Sequence, residues 1–167
     1  LWCADRASRE RLEGLRRAAA ERLAAPFSGE DLERAEEQLR QAEHYYTRAM
    51  VSKGRSDVLS GAGGAIYYLE NAIAMLNKRY FRYGVGRRYE ELSATARRPE
   101  DLCRQIDAVI GAESVEALQK HLTVLMGEVT DLFRRAEEVL AGPRLGGEDL
   151  TGSYEEMYSN FRNKLYR

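Results

Sequence analysis

The chain has 167 residues, enough to bury one hydrophobic core, and its 26 Lys and Arg nearly cancel its 27 Asp and Glu. That balance supplies no global field toward nucleic acid or an anionic membrane surface, and no stretch approaches the length of an apolar bilayer span. Only Cys3 and Cys103 occur, far apart and without C-x-x-C spacing. Neither a disulfide framework nor a zinc ribbon is suggested, and a reducing cytoplasm is the expected compartment.

Apolar residues recur at alternating spacings of three and four, the period of amphipathic helices. One helical domain over 1–167 is expected, with Leu1-Trp2-Cys3 reading as the end of a strand from a domain upstream. The first helix is predicted from about Asp5 to Ala25, with Leu12, Leu15 and Ala19 inward. Pro26 ends it. Ser28, with Asp31 three residues on, resembles a capping box for a second helix. That helix carries Leu32, Ala35, Leu39, Ala42, Tyr46 and Ala49 on one stripe. Gly54 is expected to make a left-handed turn at its end, and Ser56 to cap the next helix.

The third helix has the clearest repeat: Leu59, Ala62, Ile66, Leu69, Ile73, Leu76 and Tyr80. Between Val58 and Leu76 its only charged residue is Glu70. Gly61, Gly63, Gly64, Ala65, Ala72 and Ala74 occupy its other faces, so it is expected to be central and buried on all sides. A short helix is predicted over Arg87 to Ala96, and another from Pro99 to about Ile110. Ser114 then caps a long helix with the stripe Val115, Leu118, Leu122, Leu125, Val129, Leu132, Ala136 and Val139. Gly142-Pro143 stops it. A final helix is predicted from Ser153, where Glu156 completes a capping box. The fold class expected is all-α: an antiparallel up-and-down bundle of about four longer helices with short extra ones.

No phosphate-binding loop, nucleophile elbow or zinc-protease motif is present, and His44 and His121 each stand alone. Glu70, Asn71 and Asn77 are more informative, because polar groups on a central helix need partners. They either bond to neighbouring helices or face a ligand cleft. The run Asn77-Lys78-Arg79-Tyr80-Phe81-Arg82-Tyr83 interleaves bases with aromatics. Such a run contacts phosphates, or else complements a helix dipole and closes the core. Asn160 and Asn163 share a face of the last helix, where propensity alone does not favour Asn.

The stretches AIYYLENAIAMLNKRYFRYG (residues 65–84) and TGSYEEMYSNFRNKLY (residues 151–166) together resemble the C-terminal helical region of bacterial polymerase-β-type nucleotidyltransferases. These are relatives of aminoglycoside nucleotidyltransferases, and the helical part is similar to the HEPN-like bundles. The resemblance runs from about Asp31 onward. It implies a substrate-binding domain that closes the cleft of an N-terminal catalytic domain, which would hold magnesium and a nucleoside triphosphate. The substrate-binding residues expected are Tyr67, Glu70, Asn71, Asn77, Tyr80, Asn160, Asn163 and Lys164, with Lys78, Arg79 and Arg82 as phosphate or nucleotide contacts.

The catalytic Gly-Ser and Asp-x-Asp pattern has no match in the chain, so no catalytic residue is assigned and no transfer is expected of it alone. Nor does an Arg and His pair suit a HEPN ribonuclease, since Arg40 and His44 fall mid-helix. The partners expected are the catalytic domain and a small-molecule acceptor. The alternative is a non-enzymatic interaction module, a toxin–antitoxin-like partner or a self-associating homodimer. There the same polar residues are internal hydrogen-bond partners.

Overall fold

The computed structural model describes residues 5–81 and 87–142. These hold six α-helices and no strand: α1 (Arg6–Ala24), α2 (Gly29–Val51), α3 (Arg55–Leu76), α4 (Arg88–Ser93), α5 (Leu102–Ile110) and α6 (Val115–Ala141). The all-α class is as the sequence pattern predicts. The predicted final helix from Ser153 and the segment Leu1 to Ala4 lie outside the described residues.

Helix ends follow local chemistry. Asp5 caps α1 by accepting the Ser8 amide at 2.7 Å. Ser28 and Asp31 form the reciprocal capping box at the start of α2. Ser114 accepts the Ala117 amide at 3.0 Å and opens α6. Gly142, at φ 71°, closes α6 where the sequence places a stop. Two expectations fail at the α2–α3 joint. Gly54 is not left-handed, since its φ is −79°, and Ser56 is not the cap, because α3 starts one residue earlier at Arg55. The chain reverses through extended backbone at Ser52 and Gly54 instead, with the Ser52 amide donating to the Arg48 carbonyl.

The core is the antiparallel pair α2 and α3 with α6 laid across it and α4 and α5 closing one side. Small residues set the α2–α3 spacing: Ala35, Ala42 and Ala49 meet Gly61, Ala62, Ala65 and Ala72, all buried. A Cβ on Gly61 would lie 2.7 Å from the Ala49 backbone nitrogen, so the two helices approach too closely there for any side chain. Leu118, Leu122, Leu125, Met126, Val129 and Phe133 of α6 fill the remaining volume, each contributing about 1.5–3 kcal/mol by burial. Polar ties fix α6 in place. The Gln119 amide donates to the Ala49 carbonyl at 2.9 Å, satisfying an end group of α2. Arg55 donates to the Glu113 carbonyl at 3.1 Å and holds the α5–α6 turn.

Three predicted inward faces are exposed. In α1 no residue is buried: Leu15 is 63% exposed and Ala19 is exposed, while Leu12 is only half-covered. One leucine per turn among Arg and Glu offers little apolar area, and no described helix packs along it. The third helix is buried on only part of its circumference, with Leu59, Gly63, Tyr67 and Met75 exposed. Tyr80 falls four residues beyond its end. Val139 emerges at the end of α6, past the last turn that another helix covers. The packed bundle is therefore α2, α3 and α6 with the two short helices, and α1 projects from it.

Candidate functional site

The C-terminal end of α3 is built by a specific stop. Lys78 adopts the left-handed conformation, at φ 52°. Its amide donates to the Met75 carbonyl and the Arg79 amide to the Ala74 carbonyl, both at 2.8 Å. This pair of bonds is a Schellman closure, with Lys at the position that glycine usually takes. A non-glycine residue there costs about 1–2 kcal/mol. The Lys78 side chain offsets that cost. Its ammonium donates to the Ala25 carbonyl at 2.6 Å and the Pro26 carbonyl at 3.3 Å, and lies 3.5 Å from the Asp31 carboxylate. One lysine thus ends α3 and tethers the α1–α2 linker to it.

Asn77 pins a second segment to the same end. Its amide nitrogen donates to the Arg97 carbonyl at 2.7 Å and to the Ile73 carbonyl at 2.8 Å. Its amide oxygen accepts the Arg97 backbone amide at 2.8 Å. Every polar atom of that side chain is used, and the turn after α4 is held against α3.

Between these anchors lies an open cleft of about 530 Å³. Ala74, Asn77, Lys78, Arg79, Tyr80 and Phe81 form one wall. Glu90, Glu91, Ala94 and Thr95 form the other, and Leu23 of α1 stands at its edge. Four residues singled out in the sequence, Asn77, Lys78, Arg79 and Tyr80, are brought together here. Glu90 and Glu91 were not foreseen. Their only sequence signal was an acidic pair in the first turn of a short helix.

The other candidates on α3 sit elsewhere. Glu70 is buried and its carboxylate accepts a 2.5 Å hydrogen bond from Arg88. The Arg88 guanidinium lies 5.4 Å from the centre of the Tyr67 ring and 4.9 Å from that of Phe81. Burial pushes the Glu70 carboxyl above its ordinary range, and the hydrogen bond and charge of Arg88 only partly counter this. Asn71 donates to the Tyr67 carbonyl at 3.0 Å, one turn back in the same helix. Tyr67, Glu70 and Asn71 therefore do not line the cleft. Beside this pair, Tyr89 donates to Asp107 at 3.0 Å, and burial with that carboxylate raises its phenol well above the usual value.

Arg82, Asn160, Asn163 and Lys164 lie outside the described residues. Both histidines are exposed, His44 standing edge-on to Tyr45. Among the described residues no group of three or more His, Cys, Asp or Glu converges as a cation site. No described helix is long and apolar enough to cross a membrane.

Comparison with the models of known families, with curated proteins and with solved structures finds no match to this chain.

Proposed function

We propose that the cleft at the end of α3 binds a small polar acceptor, and that the chain presents this acceptor to a nucleotidyl-transferring domain elsewhere in the protein. The observation that carries the reading is the convergence of Asn77, Lys78, Arg79 and Tyr80 on one cleft of about 530 Å³. That volume is within the range of small-molecule sites. The Lys78 ammonium is engaged by the linker carbonyls and Asp31, so the rest of the charged lining is Arg79, Glu90 and Glu91, with Arg87 3.8 Å from Glu90. Carboxylates and aromatic rings lining one cleft suit a hydroxylated amine: its ammonium and hydroxyl donors toward the acids, its ring or chain against the aromatics.

The role of the chain is positional. Holding an acceptor hydroxyl in line with a bound nucleotide removes the entropic cost of bringing the two together. On this reading, magnesium and the nucleoside triphosphate belong to the other domain, and no bond is made or broken by the residues described here.

The test uses the full protein that contains this chain. It is incubated with magnesium, the four labelled nucleoside triphosphates and a panel of amino sugars and other hydroxylated amines. Transfer to one of them is expected, with Glu90→Gln raising the acceptor KM about tenfold at nearly constant kcat. Absence of transfer to every acceptor, or a KM that Glu90→Gln leaves unchanged, would overturn the reading.

A second reading, an interaction module, is favoured by one observation. Leu59, Gly63, Tyr67, Asn71 and Met75, each four residues after the last, form an uncharged row on α3 that no described helix covers completely. Self-association through that row predicts a dimer in light scattering that Leu59→Glu converts to a monomer. A chain that stays monomeric at high micromolar concentration removes this reading.

A further inference from the structure

A separate cavity of about 340 Å³ lies between the turn after α4 and the last turns of α6. Its floor is apolar, formed by Phe27, Ala96, Leu132, Ala136 and Val139. Its polar lining consists of Arg97, Arg98 and Arg135, and none of its eight lining residues is acidic. Arginines such as Arg34, Arg40, Arg88 and Arg134 lie against carboxylates, whereas the three around this apolar hollow form no ion pair among the described residues.

The three are not equivalent. Arg97 is held in place, donating to the Leu76 carbonyl at 3.1 Å and lying 4.2 Å from the centre of the Phe27 ring. Arg98 donates from one terminal nitrogen to the Pro99 and Glu100 carbonyls, while its Nε is buried and has no hydrogen-bond partner. A buried donor of that kind is costly to leave unmade. Arg135 could have paired along α6, but its neighbour Arg134 takes both acids within reach, Asp131 at 3.4 Å and Glu138 at 2.8 Å. Leu132, Arg135, Ala136 and Val139 recur at the spacing of one helix face, so Arg135 stands on the same side of α6 as the apolar floor.

We propose that this cavity is a binding site for a small amphipathic organic anion, a phosphate or carboxylate carried on an apolar ring or chain. The anion meets Arg98 and Arg135, whose planar forks match two-oxygen acceptors, and the apolar body covers Leu132, Ala136 and Val139. Arg97 shapes the wall, since its guanidinium is already committed. The site is distinct from the acceptor cleft, although one turn serves both: Ala94 and Thr95 line the cleft, and Ala96 to Arg98 line this cavity. The proposal does not depend on nucleotidyl transfer.

The probes are phenyl phosphate and benzoate, with inorganic phosphate as the comparison, titrated into the full chain and followed by amide chemical shifts. Shifts are expected at Ala96, Arg98, Ala136 and Val139, with phenyl phosphate binding at least tenfold more tightly than inorganic phosphate. Arg135→Gln, at an exposed position that the fold does not need, is expected to weaken phenyl phosphate at least fivefold, and Arg134→Gln to leave it unchanged. Arg98→Gln is the second variant, read together with its unfolding curve because Arg98 is partly buried. Three outcomes would overturn the site: no saturable shifts with either organic probe, shifts confined to the α3 cleft, or equal losses from Arg134→Gln and Arg135→Gln.

Discussion

Arg88 reaches Glu70 at 2.5 Å from between the rings of Tyr67 and Phe81, and this ion pair joins α4 to the middle of α3. The carboxylate side chain is 5% exposed and the guanidinium side chain 17% exposed, so neither charge has water as a ready substitute. Burying both cost solvation, and removal of one partner leaves the other uncompensated. Glu70→Gln and Arg88→Met are each expected to destabilise the fold by about 3 kcal/mol in urea unfolding. The double variant Glu70→Leu with Arg88→Met is expected to lose much less. Additive losses in the double variant would show that the two residues act separately.

The ion pair of Glu70 is one of the two roles that the sequence leaves open for it. On a helix with no other charge from Val58 to Leu76, a lone glutamate fits a ligand site as well as it fits a structural ion pair. What decides is Arg88, eighteen residues away on another helix, and no local pattern links the two. The helices themselves were legible, because caps such as Ser28–Asp31 and Ser114 are local and the apolar stripes have a fixed period. Which stripe finds a partner is not local. The leucines of α1 obey the same period as those of α2, yet only the latter are covered. The cleft was half legible for the same reason. Asn77 to Tyr80 are contiguous, whereas Glu90 and Glu91 reach them only through the turn that Asn77 holds.

The exposed leucines of α1 permit a direct check. Leu15→Gln is expected to change the unfolding free energy by less than about 0.5 kcal/mol, as surface substitutions do. Leu69→Ala, at a site 1% exposed, is expected to cost about 2–5 kcal/mol. A loss of similar size at Leu15 in urea titration would mean that α1 packs on the bundle in solution.

The glycines of α3 are expected to split in sign. Gly63 faces open space, so Gly63→Ala gains helix propensity and should stabilise by about 0.5–1 kcal/mol. At Gly61 the added methyl meets the Ala49 backbone at 2.7 Å, and two helices must move apart. Gly61→Ala is expected to destabilise by about 1–3 kcal/mol despite the same propensity gain. Thermal unfolding of the two variants side by side tests whether the α2–α3 contact is as close as described.

Asp31 carries a pH dependence. Burial alone would raise its carboxyl, but the hydrogen bonds from Ser28 and the charge of Lys78 outweigh that and bring it below its ordinary value of 3.8. A carboxyl lowered by folding adds stability that is fully present above the unfolded value and is lost as pH falls through the folded one. Asp31→Asn should therefore be less stable than the parent chain near neutral pH, by about 1 kcal/mol for a weakened capping box. The gap should narrow from about pH 4 downward. A difference that stays constant from pH 7 to pH 2 in urea unfolding would place the contribution of Asp31 outside its charge.

Lys78 offers the sharpest separation of backbone from side chain. Lys78→Ala and Lys78→Gly both abolish the ammonium contacts with the Ala25 and Pro26 carbonyls and with Asp31. Only glycine also removes the cost of a φ of 52°. Lys78→Ala is expected to be the less stable of the two by about 1 kcal/mol, the left-handed penalty outweighing the greater freedom that glycine has in the unfolded chain. Both should loosen the α1–α2 linker, seen as faster amide exchange at Ala25 and Phe27. If the two variants unfold at the same denaturant concentration, Lys78 does not hold the left-handed turn, and the wall of the cleft formed by Arg79 and Tyr80 is set some other way.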